Sequence, residues 1–177
     1  PDEGILYQDI SCKIDCPTKA GTFVLWGLGA IDETGSDALK DSTRWITDDD
    51  RFRNRWNEKF GAVGINHKVN LSKNTMLTTS LASSGNTKKL TMDWLDEQYN
   101  LQEDVNLKND NGKTTLAFVL SNKFSSKHTN KTGLKINTLL YNYNLNGTIL
   151  HEPGTYRNFS DESGKSNHIQ LFTQSKY

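Results

Sequence analysis

The chain has little of what most functional classes require. Only 34% of its 177 residues are hydrophobic and its mean hydropathy is -0.70, against roughly 45–50% apolar residues in an ordinary globular domain when Gly is counted. No run approaches the ~18 consecutive apolar residues of a membrane helix, and the opening residues do not read as a basic-then-apolar secretory leader. Neither charge sign is in excess, with 21 Lys+Arg against 21 Asp+Glu. A basic footprint for gripping phosphate backbones is therefore missing, and no nucleic-acid partner is expected. Low hydropathy alone would suit a disordered chain, but 10% aromatics and zero net charge argue against that.

Cysteine is equally scarce. Cys12 and Cys16 are the only two, and on an extended strand their Cα atoms would stand ~13 Å apart, beyond the ~7 Å that a disulfide tolerates. With no neighbouring His the pair is a poor zinc pattern, and it reads as two small apolar residues on one strand face. His67, His128, His151 and His168 are dispersed, without HxxxH or HxH spacing, and there is no GxSxG elbow. Asp48-Asp49-Asp50 lacks the spaced ligands and closing Glu of a calcium loop, and reads, like Asp161-Glu162, as solvated loop. No catalytic residue, metal or cofactor is expected, and the chain is not expected to be an enzyme. The sequons at Asn70, Asn130, Asn146 and Asn158 are chance matches in a chain rich in Asn, Ser and Thr.

What the sequence does contain is alternation with period two. Leu6, Ile10, Cys12, Ile14 and Cys16 form an apolar phase against Tyr7, Asp9, Ser11, Lys13 and Asp15, the mark of a strand with one greasy and one wet face. Val63 and Ile65 continue the theme, as do Leu77 and Leu81, then Leu116, Phe118 and Leu120, then Leu134 and Ile136, and finally Ile169 and Leu171. The spacing predicts about seven strands of roughly a dozen residues each. Short turns fall at 17–21, 72–74 and 125–127, and long loops at 33–52, 85–113 and 145–165, with a strand extending into the second loop at 99–107. Short and long connections thus alternate, as they do in an up-and-down β-barrel that crosses a membrane with short periplasmic turns and long extracellular loops. The expected architecture is all-β and antiparallel, with the apolar phase facing outer-membrane lipid at Leu6, Ile10, Cys12, Ile14, Val63, Ile65, Leu77, Leu81, Leu116, Phe118, Leu120, Leu134, Ile136, Ile169 and Leu171.

Particular stretches strengthen this. Tyr7-Gln8-Asp9-Ile10-Ser11, Pro17-Thr18-Lys19-Ala20-Gly21-Thr22-Phe23 and Leu25-Trp26-Gly27-Leu28-Gly29-Ala30-Ile31-Asp32 resemble the barrel of bacterial TonB-dependent outer-membrane receptors. So does the turn and strand start Phe124-Ser125-Ser126-Lys127-His128-Thr129-Asn130-Lys131-Thr132-Gly133, and Lys73-Asn74-Thr75 and Gln174-Ser175-Lys176-Tyr177 are similar. The resemblance implies a location in the Gram-negative outer membrane and uptake of a nutrient ligand, with energy supplied by the TonB system. Such barrels have about 22 strands and a plug, so residues 1–177 are expected to be one segment of a larger receptor barrel, without the plug.

Trp45, Trp56 and Trp94 lie in or beside the expected long loops. Of these, Trp45 and Trp94 are the candidate contacts for a small-molecule or glycan ligand, and loop packing is the competing reading. Trp26 is expected to face the lumen. The alternative architecture is a secreted or periplasmic β-sandwich acting as a carbohydrate-binding module, in which the apolar phase would be hidden between two sheets. A complete eight-stranded barrel, with its extra strand at 99–107, is a third reading.

Overall fold

The computed structural model describes residues 4–149 and 154–177. Seven antiparallel strands follow one another without crossovers: β1 (Gly4–Thr18), β2 (Gly21–Ser36), β3 (Phe52–Asn70), β4 (Thr75–Leu95), β5 (Leu101–Lys123), β6 (Thr129–Gly147) and β7 (Arg157–Lys176). They form one sheet in the order β1 to β7, and β1 and β7 are not paired to each other. Two short 3-10 turns, Ser42–Arg44 and Asp48–Arg51, are the remaining regular structure among the described residues. A sandwich needs a second sheet, and the described residues supply one sheet only.

The hairpin ends at the short-turn side are tight for identifiable reasons. In the first, the Thr18 hydroxyl donates to the Gly21 carbonyl at 2.7 Å and accepts from the Ala20 amide. Gly21 has φ +120°, where a side chain is strained, and a Cβ there would run into the Lys68 carbonyl. At the third turn, Ser125 Oγ accepts from the amides of Lys127 and His128, and the His128 ring stacks 4.3 Å from Tyr177.

Strand length departs from the alternation pattern. The strands run from 15 residues in β1 to 23 in β5, well past the roughly 9–11 residues that a tilted membrane span needs. Residues 85–113, expected as a long loop, are instead the far halves of β4 and β5, joined across 96–100. The strand at 99–107 is therefore the start of β5, not an eighth strand. The other two expected loops shrink to 37–51 and 148–156. The cause is physical: ladder hydrogen bonds come from the backbone and need no apolar phase. Where both faces are polar, as in Lys88-Lys89 and Lys108 to Asn111, periodicity carries no signal.

Directly paired residues share a face, so the register sorts every side chain. One row reads Ile14, Leu25, Ile65, Leu81, Leu116, Ile136, Ile169 across the seven strands, and the adjacent row on the opposite face reads Lys13, Trp26, Gly64, Ala82, Thr115, Asn137, His168. The buried residues of the turn-side half, Val24 (7% exposed), Ala62 (8%), Gly133 and Asn137 (4%), all belong to the second face. The sheet therefore curls toward that side, here called inner, and presents the first as its outer face.

Candidate functional site

On the outer face, the row through Ile14 and Leu25 is wholly apolar, and the next row toward the short turns, Cys16, Phe23, His67, Thr79, Phe118, Leu134 and Leu171, is mostly so. All fifteen residues of the expected lipid-facing phase lie on this face, Leu6 among them although it sits at the far, polar end. They are open to the surroundings: Val63 is 63% exposed, Ile10 74% and Leu171 81%. The fully buried apolar residues among those described are Val24, Ala62 and Leu95. A single-layer sheet has no hydrophobic core of its own, and such a contiguous apolar surface is far outside what a monomer in water keeps bare.

The inner face of the same half mixes polar, hydrogen-bonded side chains with Val24, Leu28, Ala62, Val119 and Phe172. Thr115 donates to buried Asn137 at 2.8 Å, and Thr138, across on the outer face, donates to Asn167 at 3.0 Å. Lys13, Asp15, Asn66, Ser80, Lys113, Lys135, His168 and Gln170 share the inner face. Trp26 is also here, laid over Gly64, where an added Cβ would meet its indole at 2.5–2.8 Å. His67 sits on the outer face at the turn end, stacked 4.3 Å from Phe23 and bonded to the Ala20 carbonyl. His151 lies outside the described residues, and among those described no three His, Cys, Asp or Glu side chains gather as a metal site would.

Further from the short turns the inner face changes character. Trp56, Leu90, Leu107 and Leu145 pair in one row, and Phe60, Asn86, Asn111 and Tyr141 in another. The second row helps line a hollow of about 570 Å³, together with Glu58 and Lys113. Aromatic walls and convergent amides suit a small polar ligand. Sequence reasoning missed this hollow because its residues come from five strands, β3 to β7, and Asn86, Asn111 and Lys113 lay in the stretch read as loop. Tyr141 carried the one usable signal, as an aromatic in a polar phase.

The two tryptophans singled out as ligand contacts do meet, through a residue the sequence did not flag. The Arg51 guanidinium lies 5.3 Å from the Trp45 ring and 5.7 Å from the Trp94 ring, and donates to the Leu95 carbonyl at 2.8 Å. Trp45 Nε1 donates to the Leu39 carbonyl, and its ring tilts against Tyr99 at 6.1 Å. Cation–π contact on both sides of one guanidinium thus ties the 37–51 loop to the β4–β5 connection, which leaves each ring one occupied face. The acidic run beside it caps a turn: Asp50 accepts from the amides of Ile46 (2.7 Å) and Thr47 (3.0 Å), and these bonds, Thr47 foremost, hold its carboxyl below the usual range. Asp41 caps the preceding turn through Thr43 and is lowered for the same reason.

The third connection is anchored at a bulge. Asp104 sits at the bulge where the register of β4 and β5 shifts between Met92 and Asp93. It is buried, its carbonyl accepts from the Thr148 amide at 2.8 Å, and its carboxylate accepts from the Thr148 hydroxyl. Tyr156 donates to Glu103 at 2.9 Å. Burial, followed by that carboxylate, pushes the phenol up to about 12.

No protein-family model matches this sequence. No curated protein matches it either. Among solved structures, the crystal structure of the ferric yersiniabactin uptake receptor FyuA from Yersinia pestis superposes on 98% of this chain, with a TM-score of 0.53 and 15% sequence identity. The chain spans 25% of that protein's length. The likeness is one of fold: seven antiparallel up-and-down strands in an unclosed sheet, matching a segment of a receptor barrel.

Proposed function

We propose that these residues form part of the membrane-spanning barrel of an outer-membrane receptor of the TonB-dependent type, which takes up a nutrient ligand. The observation that carries the reading is the distribution of polarity on a single-layer sheet. Its outer face is apolar over the turn-side rows, and its inner face carries most of the charged and amide side chains of the same rows, Lys13, Asp15, Asn66, Lys135, Asn137 and Gln170 among them, as the apolar-out, polar-in pattern of a lipid-embedded barrel with a wet lumen requires. The fold-level likeness to an uptake receptor supports it, and the motif resemblance around Pro17–Phe23 and Phe124–Gly133 points the same way. In this reading the lipid of the outer membrane is the partner of the apolar rows. The hollow at Phe60, Asn86, Asn111 and Tyr141 faces the lumen near its extracellular mouth, where it would contribute to ligand contact. TonB engagement belongs to a plug outside these 177 residues, and no catalytic step is assigned.

The test is a nitroxide scan of β1 in lipid, with Cys12 and Cys16 replaced and one label placed at a time from position 6 to 16. Labels at 10, 12 and 14 are expected to collide with oxygen, and labels at 9, 11 and 13 with a water-soluble relaxer. An apolar phase shielded from both reagents would mean that protein covers it, and the barrel reading would be abandoned.

A further inference from the structure

One row of the outer face carries no side chains. Gly29 pairs with Gly61, Gly61 with Gly85, and Gly85 with Gly112, while Ile10 and Leu140 flank the row at either end. Glycines on the inner face are roofed by aromatic neighbours: Trp26 over Gly64, Phe172 over Gly133, Tyr141 over Gly164. No side chain roofs the middle of the outer row. A Cβ on Gly61 would meet nothing nearer than the Leu28 carbonyl oxygen at 4.0 Å, and on Gly85 the nearest atom is the Asn111 carbonyl oxygen at 3.2 Å. Bare backbone here floors a groove of about 790 Å³ bordered by Ile10, Ile31 and Lys59. In strands, such a gap marks a place that something outside the sheet approaches closely.

The groove has a charged end. Lys59 and Thr87 also line a neighbouring hollow of about 420 Å³, completed by Asn57, Lys89 and Lys108. Lys108 reaches Asp110 at 2.8 Å, whereas among the described residues Lys59 and Lys89 make no ion pair. Lys88, one position away but on the inner face, is paired with Glu58 at 3.2 Å. On the other side of the glycine row, the outer face continues into Val63, Ile65, Leu81 and Leu116. Cationic hollow, bare groove and apolar band thus follow one another along the same strands.

We propose that this stretch of the outer face seats one phosphate-bearing lipid, with its phosphate among Lys59, Lys89 and Lys108 and an acyl chain along the Gly29–Gly61–Gly85 floor. The inference rests on the outer face being the lipid-facing one. Charge complementarity selects the occupant: Asp110 is held by Lys108 and the Thr87 hydroxyl, which leaves the ammonium groups of Lys59 and Lys89, beside the Asn57 amide, to suit a phosphate. Lysines at a membrane surface each favour an anionic headgroup. The groove beside them adds the bare glycine floor with Ile10 and Ile31 as contact for hydrocarbon, and the polar side chains lining it, Lys59, Thr87 and Asp110 among them, lie at the end next to the hollow. A phosphate without a tail would use only the hollow, and a neutral lipid only the groove.

The experiment uses the full chain in a neutral detergent, titrated with phosphatidic acid or with phosphatidylcholine of identical chains, and counts retained lipid by native mass spectrometry. Phosphatidic acid is expected to be retained about tenfold or more over phosphatidylcholine. The preference should vanish in the triple variant Lys59→Gln, Lys89→Gln, Lys108→Gln, and retention should fall in Gly61→Leu, whose side chain fills the groove without a clash. Circular dichroism confirms that each variant keeps its strands. Equal retention of the two lipids, undiminished phosphatidic acid in the triple variant, displacement by inorganic phosphate alone, or a chain dimer in place of bound lipid would each overturn the proposal. Nitroxide labels at Val63 and Leu81 in the same samples separate the two inferences. Oxygen-accessible labels without lipid preference defeat the seat alone, and labels shielded from oxygen and water defeat the barrel reading beneath it.

Discussion

The two halves of this sheet obey the same backbone rules and opposite side-chain rules. On the turn side of the Gly29–Gly61–Gly85–Gly112 row, β1 and β6 alternate between apolar outer and polar inner residues, while β2 is apolar on both faces through Val24, Trp26 and Leu28. On the far side β4 and β5 turn polar side chains outward, Thr87, Lys89, Asn106 and Lys108 among them, while their inward residues mix Lys88 and Asn109 with Leu90 and Leu107. Pairing nevertheless runs unbroken through the glycine row. Under the proposed barrel reading the difference is one of medium: the turn-side half would separate lipid from lumen, and the far half would stand in water. The far half is also where side chains hold the connections, through Arg51 between its two indoles, the Arg53–Asp93 ion pair at 2.6 Å and the Asp104 bulge.

The sharpest way to break the comparison is to move a charge between halves. Leu116→Arg, in the apolar rows, is expected to cost about 2–4 kcal/mol in a bilayer, and Asn57→Arg, outward in the far half, about 0–1 kcal/mol. Denaturant unfolding in lipid vesicles measures both. Equal costs would mean that the halves share one medium.

Glycines give the next contrast. Gly64→Val pushes a side chain into the Trp26 indole and is expected to cost about 1–3 kcal/mol by overpacking. Gly61→Val, three residues earlier on the open face, should be neutral or stabilising by up to about 1 kcal/mol, because valine prefers a strand. The same unfolding assay reads both, and a penalty at Gly61 as large as that at Gly64 would mean that the outer row is covered.

A smaller and local effect is expected at the loop clasp. Arg51→Ala removes two cation–π contacts, each worth about 0.5–2 kcal/mol, together with the bond to the Leu95 carbonyl. Amide hydrogen exchange should speed up across 37–51 and 95–100 while the turn-side halves of β3 and β4 stay as protected as before. The smallest effect is a titration. With its phenol pushed up to about 12 from the usual 10.0, neutral Tyr156 favours the folded state. That contribution is complete below pH 10 and is lost as the pH rises through 12. Absorbance at 295 nm should show one tyrosine ionising late, and Glu103→Gln should bring it earlier.

Legibility in the sequence followed the same division. Cys12 and Ile14 against Ser11 and Lys13 announced a strand and its two faces, because lipid or water on each side selects every second residue. Lys88-Lys89 and Lys108 to Asn111 announced nothing, since a stretch polar in both phases shows no alternation. Trp45 and Trp94 stood out by type, yet their meeting depends on Arg51, whose role is invisible until 37–51 folds over the β4–β5 connection. The hollow at Phe60, Asn86, Asn111 and Tyr141 left one local sign, the aromatic Tyr141 in a polar phase, because its other walls are brought together only by pairing between strands.

The sequence by itself determined strand identity and the sorting of side chains onto two faces over the turn-side half. Alternation is a local property, readable one strand at a time wherever the two faces meet different media. Tertiary structure alone decided how far pairing extends beyond that half, which glycines align into a single row and which lysines gather beside it. These are matters of register between strands distant in the chain, set by turns, bulges and ladder hydrogen bonds that leave no trace in the order of residues along any one strand.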